Sequence, residues 1–452
     1  MRGSISRRDW MRLTACGGVG VSLSGWMQAL AEETAPAKAG GPATGKLRGK
    51  SCILLWMSGG PSQTDTLDPK PGHANGGPFK AIDTVAPGIQ IAEHLPQLAK
   101  VMDNVALIRS MSTKEGDHSR ATYLLRTGYL PQGPLHYPTL GALLGKELGQ
   151  DSAELPNFVS ISPYRFLSPA AFGPGFLGPQ HAPLVVGGNG FSPRATADYE
   201  QELQVRNVTV PKTVTVEQAD ARLGLLDSLE NDFATRFPGS ATVSHRAAYS
   251  QAVRMMRSSA MQAFELSQEP DALRDAYGRN QFGQACLLAR RLVEQGVPFI
   301  EVSLNGAPGS PGLGWDTHAG NFEAVKSLCS VLDPGWATLI RDLKQRGLLD
   351  TTLVVWMGEF GRTPNINGSM GRDHFPAAWS TALAGCGLRG GQIIGRTSAS
   401  GMQVDDRPVS VPDLLATICR RLGIDPLKQN MSDLGRPIGI VDREAKAIAE
   451  LI

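Results

Sequence analysis

Unbroken apolar runs that stop at glycine and proline lay out the plan of this chain. Cys52-Ile53-Leu54-Leu55-Trp56-Met57 is apolar at every position and ends at Ser58-Gly59-Gly60-Pro61. A strand with one wet face alternates, whereas a run without alternation is covered on both faces, as at the centre of a parallel sheet. Val105 to Ile108, Val297 to Leu304 and Thr352 to Met357 read the same way. These four segments are expected to be neighbours in one sheet. Helical periodicity is interleaved with them. A helix is predicted over Ser119 to Arg126, another over Arg279 to Gln295 leading through Gly296 to the strand at Val297, and one or two over Asn321 to Gln345 leading to the strand at Thr352. Strand alternating with helix predicts an α/β fold with a mainly parallel, doubly wound sheet. Asn157 to Ile161 and Leu184 to Val186 are further strand candidates in a stretch rich in proline and glycine. Glu217 to Phe237 and His245 to Leu266 are helical by period but carry no catalytic-looking cluster, so a helical insertion is expected over about residues 205–275.

Composition changes this picture mainly at the N-terminus. The chain has 452 residues, 41% hydrophobic and 19% charged, enough for one large or two modest domains. Its net charge of +2 is concentrated in the first 31 residues, where Arg2, Arg7, Arg8 and Arg12 face only Asp9, so the remainder carries −1. No basic field is left to attract nucleic acid, and no later apolar run approaches the ~20 residues of a membrane span. Ser6-Arg7-Arg8-Asp9-Trp10-Met11, a mild apolar stretch to Leu30 and the closing Ala29-Leu30-Ala31 predict a twin-arginine export signal over residues 1–31 and a periplasmic or otherwise exported product. Residues 32–50, rich in Ala, Gly, Pro and Lys, read as a flexible linker, leaving residues 51–452 as the folded domain. Beyond the leader, Cys52, Cys286, Cys329, Cys386 and Cys419 show no C-x-x-C spacing and are expected to be small core residues.

The candidate chemistry lies in three islands: Trp315-Asp316-Thr317-His318, Gly358-Glu359-Phe360-Gly361-Arg362 and Gly371-Arg372-Asp373-His374-Phe375. Each sets carboxylate or imidazole in glycine-rich sequence, and in open α/β sheets functional groups gather on loops at one sheet edge. Asp316, His318, Glu359 and His374 are therefore expected to share a divalent cation, with Asp65 or Asp373 completing the shell. Imidazole with carboxylate suits zinc, and a carboxylate-rich set suits calcium.

These motifs, with Gly59-Gly60-Pro61-Ser62-Gln63, Asp68-Pro69-Lys70-Pro71 and His118-Ser119-Arg120-Ala121-Thr122, closely resemble the domain of unknown function 1501 family of exported bacterial proteins. That family resembles, more distantly, the alkaline phosphatase and sulfatase superfamily. The resemblance implies an alkaline-phosphatase-like sheet and a metal-dependent hydrolase of phosphate or sulfate esters, including esters on a sulfated polysaccharide. It implies Asp316 and His318 as one ligand pair and His374 as the late histidine. Glu359-Phe360-Gly361 stands where the superfamily has Asp-His-Gly, one imidazole fewer, which favours one metal over two. His118 or Gly116 falls where a sulfatase carries the cysteine that becomes formylglycine, so nucleophile chemistry passes to Ser119 or Thr122 activated by His118, or to water. Arg120, Arg362 and Arg372 are candidate clamps for the substrate anion. The alternative is a non-catalytic protein of the same fold that binds an anion or a partner.

Overall fold

Residues 49–187, 199–205, 208, 213–237, 239–308, 310 and 313–452 are described by a computed structural model. The expected leader, and the linker up to residue 48, lie outside the described residues. Two compact units are distinguished, one of which contains residues 45–204 and 262–452 and the other residues 205–261.

The larger unit is built on an eight-stranded sheet. Its strands are β1 (Ser51–Met57), β2 (Val105–Met111), β3 (Phe158–Ile161), β4 (Leu184–Val186), β5 (Phe299–Leu304), β6 (Thr352–Met357), β9 (Trp379–Gly385) and β10 (Gln392–Ile394). Two short strands, β7 (Gly361–Arg362) and β8 (His374–Phe375), form a separate ribbon between β6 and β9 in the chain. The order across the large sheet is β10-β2-β9-β6-β1-β5-β3-β4. β1 sits centrally, parallel to both β5 and β6, and all seven of its residues are buried. The four apolar segments thus share one sheet, but β2 is not next to β6. β9 lies between them, antiparallel to both.

Helices cover both faces. On one face Cys52, Leu54 and Trp56 of β1 and Leu353, Val355 and Met357 of β6 join a core with Leu125 of α1 (His118–Thr127), Leu140, Leu143 and Leu144 of α2 (Leu140–Leu148), and Leu414, Leu415 and Ile418 of α7 (Val411–Leu422). On the other, α6 (Asn321–Gln345) lays Trp336 flat on Trp356 of β6, ring centroids 5.5 Å apart, and α5 (Gln281–Glu294) packs on β5 and α6. Burial of each large aliphatic side chain contributes about 1.5–3 kcal/mol, so this two-sided cover explains why the central strands show no polar alternation. α6 is one helix of 25 residues with Pro334 inside it, which settles the choice between one helix and two. The preceding Asp333 turns its carboxylate to the backbone N–H groups of Gln97 and Leu98, at 2.9 and 2.8 Å. The five cysteines are free and buried. Among the described residues no helix is long and apolar enough to cross a membrane.

The smaller unit contains α3 (Val216–Arg236) and α4 (Ser240–Arg257). A capping box between Thr215 and Gln218 starts α3. The two helices are tied by Arg246 to Asn231 at 2.7 Å and by an ion pair of Arg257 with Asp220.

Candidate metal centre

Because β1, β2, β5 and β6 run in the same direction, their C-terminal ends deliver loops to one edge. Gly59 follows β1, His118 is the first residue of α1 after β2, Asp316 and His318 lie between β5 and α6, and Glu359 follows β6. The ribbon then pairs Arg362 with His374 across its two strands. Two glycines let these loops meet. Gly59 has φ +112°, and a Cβ there would lie 2.5 Å from the Asp316 nitrogen; a Cβ on Gly371 would lie 1.9 Å from the His318 carbonyl oxygen.

Three imidazoles converge on one carboxylate oxygen. The Nε2 atoms of His118, His318 and His374 lie 3.2, 3.1 and 3.3 Å from Asp316 Oδ1, and His318 Nε2 lies 3.0 Å from His374 Nε2. The other ring nitrogen of each histidine is already engaged. Nδ1 of His118 lies 2.8 Å from Glu359 Oε1, that of His374 2.7 Å from the Gly116 carbonyl, and that of His318 2.7 Å from Asp373 Oδ1. Each Nδ1 has an acceptor of its own, so a cation at the shared point would displace protons from the Nε2 side and meet three lone pairs there, the arrangement by which outer partners orient metal-binding histidines.

The fit to a cation can be tested on the distances. Ligand bonds of about 2.0–2.2 Å in tetrahedral geometry give ligand-to-ligand edges of roughly 3.3–3.6 Å, close to the 3.1–3.3 Å found around Asp316 Oδ1. His118, Asp316 and His374 offer three donor atoms all within 4.8 Å of one another. His118 Nε2 is buried without a hydrogen-bond partner of acceptable geometry, and so is Glu359 Oε2. The residues present therefore fit a divalent ion.

The charged groups of the site shift one another. Burial alone would lower the His118 pKa, but the carboxylates of Asp316 and Glu359, one beside each ring nitrogen, outweigh it and raise the pKa to about 9. Burial would raise Asp316, yet His118, His374 and Arg362 hold its carboxyl far below the usual range. The Arg362 guanidinium, 2.6 Å from Asp316 Oδ1, is lowered by burial against the opposing pull of Asp316. His318 lowers the carboxyl of Asp373.

The profile of the protein of unknown function DUF1501 matches residues 49–452 of the chain. The chain belongs to the DUF1501 family. Among solved structures, this DUF1501 protein is similar to Ps i-CgsB, crystallised with k-i-k-neocarrahexaose, at 16% identity and TM-score 0.41, over 84% of this chain and 73% of that one. It is similar to an alkaline phosphatase superfamily protein from Vibrio parahaemolyticus at 12% identity and TM-score 0.39, over 88% and 72%. It is similar also to the PsFucS1 sulfatase from Pseudoalteromonas sp. at 14% identity and TM-score 0.36, over 83% and 68%. No curated protein matches it.

Several residues singled out in the sequence occupy other roles in the DUF1501 chain. Asp65 does not reach the shared point. Both of its oxygens bind Arg372, through Nε at 2.7 Å and Nη2 at 2.9 Å, and Ser62 and Asn321 donate to Oδ2 at 2.6 and 2.8 Å. Arg372 is accordingly a buried partner of Asp65 and of the Thr363, Pro364 and Asn75 carbonyls, with no guanidinium free for an anion. Glu359 supports His118 and accepts the Gly59 N–H at 2.9 Å with the same Oε1. Asp373 touches the centre only through His318. His118, expected to activate a hydroxyl, has both nitrogens facing carboxylates. Ser119 and Thr122 follow it on α1, and neither hydroxyl makes a hydrogen bond to its ring. Arg120 is half-exposed and paired with Glu115 at 2.8 and 2.9 Å. The Gly116 carbonyl that orients His374 had no signal in the sequence, because any residue supplies a backbone oxygen.

Proposed function

We propose that this chain is an exported hydrolase that uses one divalent cation, zinc in preference to calcium, to cleave phosphate or sulfate esters on an alkaline-phosphatase-like scaffold. The observation that carries the reading is the convergence of three Nε2 atoms on Asp316 Oδ1 with every Nδ1 held from outside. Two imidazoles and one carboxylate, His118, His374 and Asp316, would hold the ion, a nitrogen-rich set that favours zinc over oxygen-seeking calcium. The ion would supply polarisation of the ester and activation of water. Glu359 and the Gly116 carbonyl keep His118 and His374 in register, and Asp373 holds the exposed His318 at the mouth. Ser119 and Thr122 are not engaged with His118, which supports water over a side-chain nucleophile. The five cysteines are buried, which argues against a formylglycine mechanism. An anionic ester, including one on a sulfated polysaccharide, is the substrate class of this reading.

A second reading, a non-catalytic anion- or partner-binding protein, draws on one observation: Arg120, Arg362 and Arg372, the candidate clamps for a substrate anion, all have carboxylate partners within the protein, which weakens ester hydrolysis and leaves partner binding ahead of anion binding. Turnover separates the two. The metal-stripped chain resupplied with zinc, calcium, magnesium or manganese should hydrolyse aryl phosphates or aryl sulfates best with zinc. No turnover with any of the four would favour the binding reading.

We further propose export to the periplasm through the twin-arginine leader. Changing Arg7 and Arg8 to Lys keeps the charge but removes the paired guanidinium groups, so the precursor should stay in the cytoplasm at full length. Unimpaired export of that double variant, followed by fractionation, would remove this assignment.

A further inference from the structure

We infer that the Arg362 guanidinium occupies the place of a second cation beside the proposed metal, so that the site accepts one exchangeable ion and not two. The inference rests on the single-metal reading above and goes beyond it. Its ground is the set of atoms around the guanidinium. Nε donates to the Gly60 carbonyl at 3.0 Å, Nη1 to the Arg372 carbonyl at 3.4 Å and Nη2 to the Gly59 carbonyl, while Nη2 also forms an ion pair with Asp316 Oδ1 at 2.6 Å. Apart from the Phe360 ring, whose centroid lies 5.7 Å from Cζ, every partner is oxygen: three backbone carbonyls and a carboxylate. That is the donor set of a hard divalent cation, here satisfied by a tethered side chain. The side chain is fully buried, so it is not a surface arginine that happens to reach inward, and it does not touch solvent or a solvent-borne substrate.

Asp316 Oδ1 makes the arrangement resemble a two-cation centre with one member replaced. On one side it meets Arg362; on the other it meets His118 and His374 through Nε2. Two-cation hydrolases hold their ions about 3.5–4 Å apart so that both act on one ester. A guanidinium stays charged at any physiological pH and does not exchange with solution. It would neutralise the carboxylate load of the site permanently and repel a second ion from the neighbouring oxygens. Glu359, buried with Oε2 unpartnered, is a carboxylate oxygen that a second ion could recruit once the guanidinium is gone.

The test is metal stoichiometry, read by native mass spectrometry and elemental analysis on the full chain, stripped and then equilibrated with zinc. Wild type should carry one ion per chain. Arg362→Gln and Arg362→Ala should carry two, Arg362→Lys should stay at one, and low concentrations of guanidinium salt should return Arg362→Ala from two to one. Circular dichroism reports whether each variant folds. Two ions in wild type would overturn the inference whatever the variants do. So would folded Arg362→Gln and Arg362→Ala variants that bind the same number of ions as wild type with unchanged affinity, since a purely structural arginine predicts that result. Zero ions in wild type would sink the single-metal reading instead, and Arg362 would still be judged by whether Arg362→Gln gains an ion.

Discussion

Alanine at His118 or at His374 is expected to leave a folded chain that no longer retains a stoichiometric divalent ion. Each residue supplies one of three donors gathered within 4.8 Å, so its loss removes a ligand outright. The effect should exceed the roughly 10–100-fold that removal of an outer partner of a ligand costs. The fold should survive, because His118 is the first residue of a helix and His374 lies in a two-residue strand, both outside the apolar cores. Elemental analysis reads the ion directly. Thermal unfolding reads it a second way: an ion at 100 times its dissociation constant stabilises the native state by about 2.7 kcal/mol, and the variants should show no such gain. His318→Ala is a useful contrast. Its ring is 47% exposed, against 12% for His118, and it should weaken the site without emptying it. If either His118→Ala or His374→Ala keeps one tightly held ion, the centre is elsewhere.

The second large effect concerns stability. Asp65→Ala or Arg372→Ala should each destabilise the metal-free protein by about 3–5 kcal/mol, because either leaves an uncompensated charge where both side chains are completely buried. Replacing both residues together with apolar side chains of similar volume should cost much less than the sum, since the desolvation of the pair disappears with it. Denaturant unfolding of the apo-protein measures this, with the slope of the transition checked for constancy. A loss below about 1 kcal/mol for Asp65→Ala, together with loss of bound metal, would restore Asp65 as a ligand.

The sheet was legible where burial on both faces left an unbroken apolar signature. Cys52 to Met57 and Thr352 to Met357 could hardly be anything else. β9 escaped because Trp379-Ser-Thr-Ala-Leu-Ala-Gly385 is a run of mostly small residues, buried by β2 and β6 on its flanks and not by its own bulk. α2 escaped because Gly141 and Gly145 depress its helical propensity, a penalty that packing overrides. At the site, loop islands carrying imidazole and carboxylate were visible as islands, but their pairings were not. Asp65 and Arg372 stand 307 residues apart, and nothing local announces that each exists to neutralise the other. The same holds for Glu359 and His118, 241 residues apart. Sequence displays which groups are present; only the closed sheet decides which of them spend themselves on one another.

That separation has a kinetic side. No two of the elements bearing His118, Asp316 and His374 form a local hairpin with each other, so their lone pairs cannot be assembled by an early, short-range folding event. Non-local contacts must first overcome loop-closure entropy, and chains dominated by them fold slowly. Metal capture should therefore be a late step with the rate of sheet closure, and a pulse of zinc during refolding would serve as a clock for the moment β1, β2, β5 and β6 come into register.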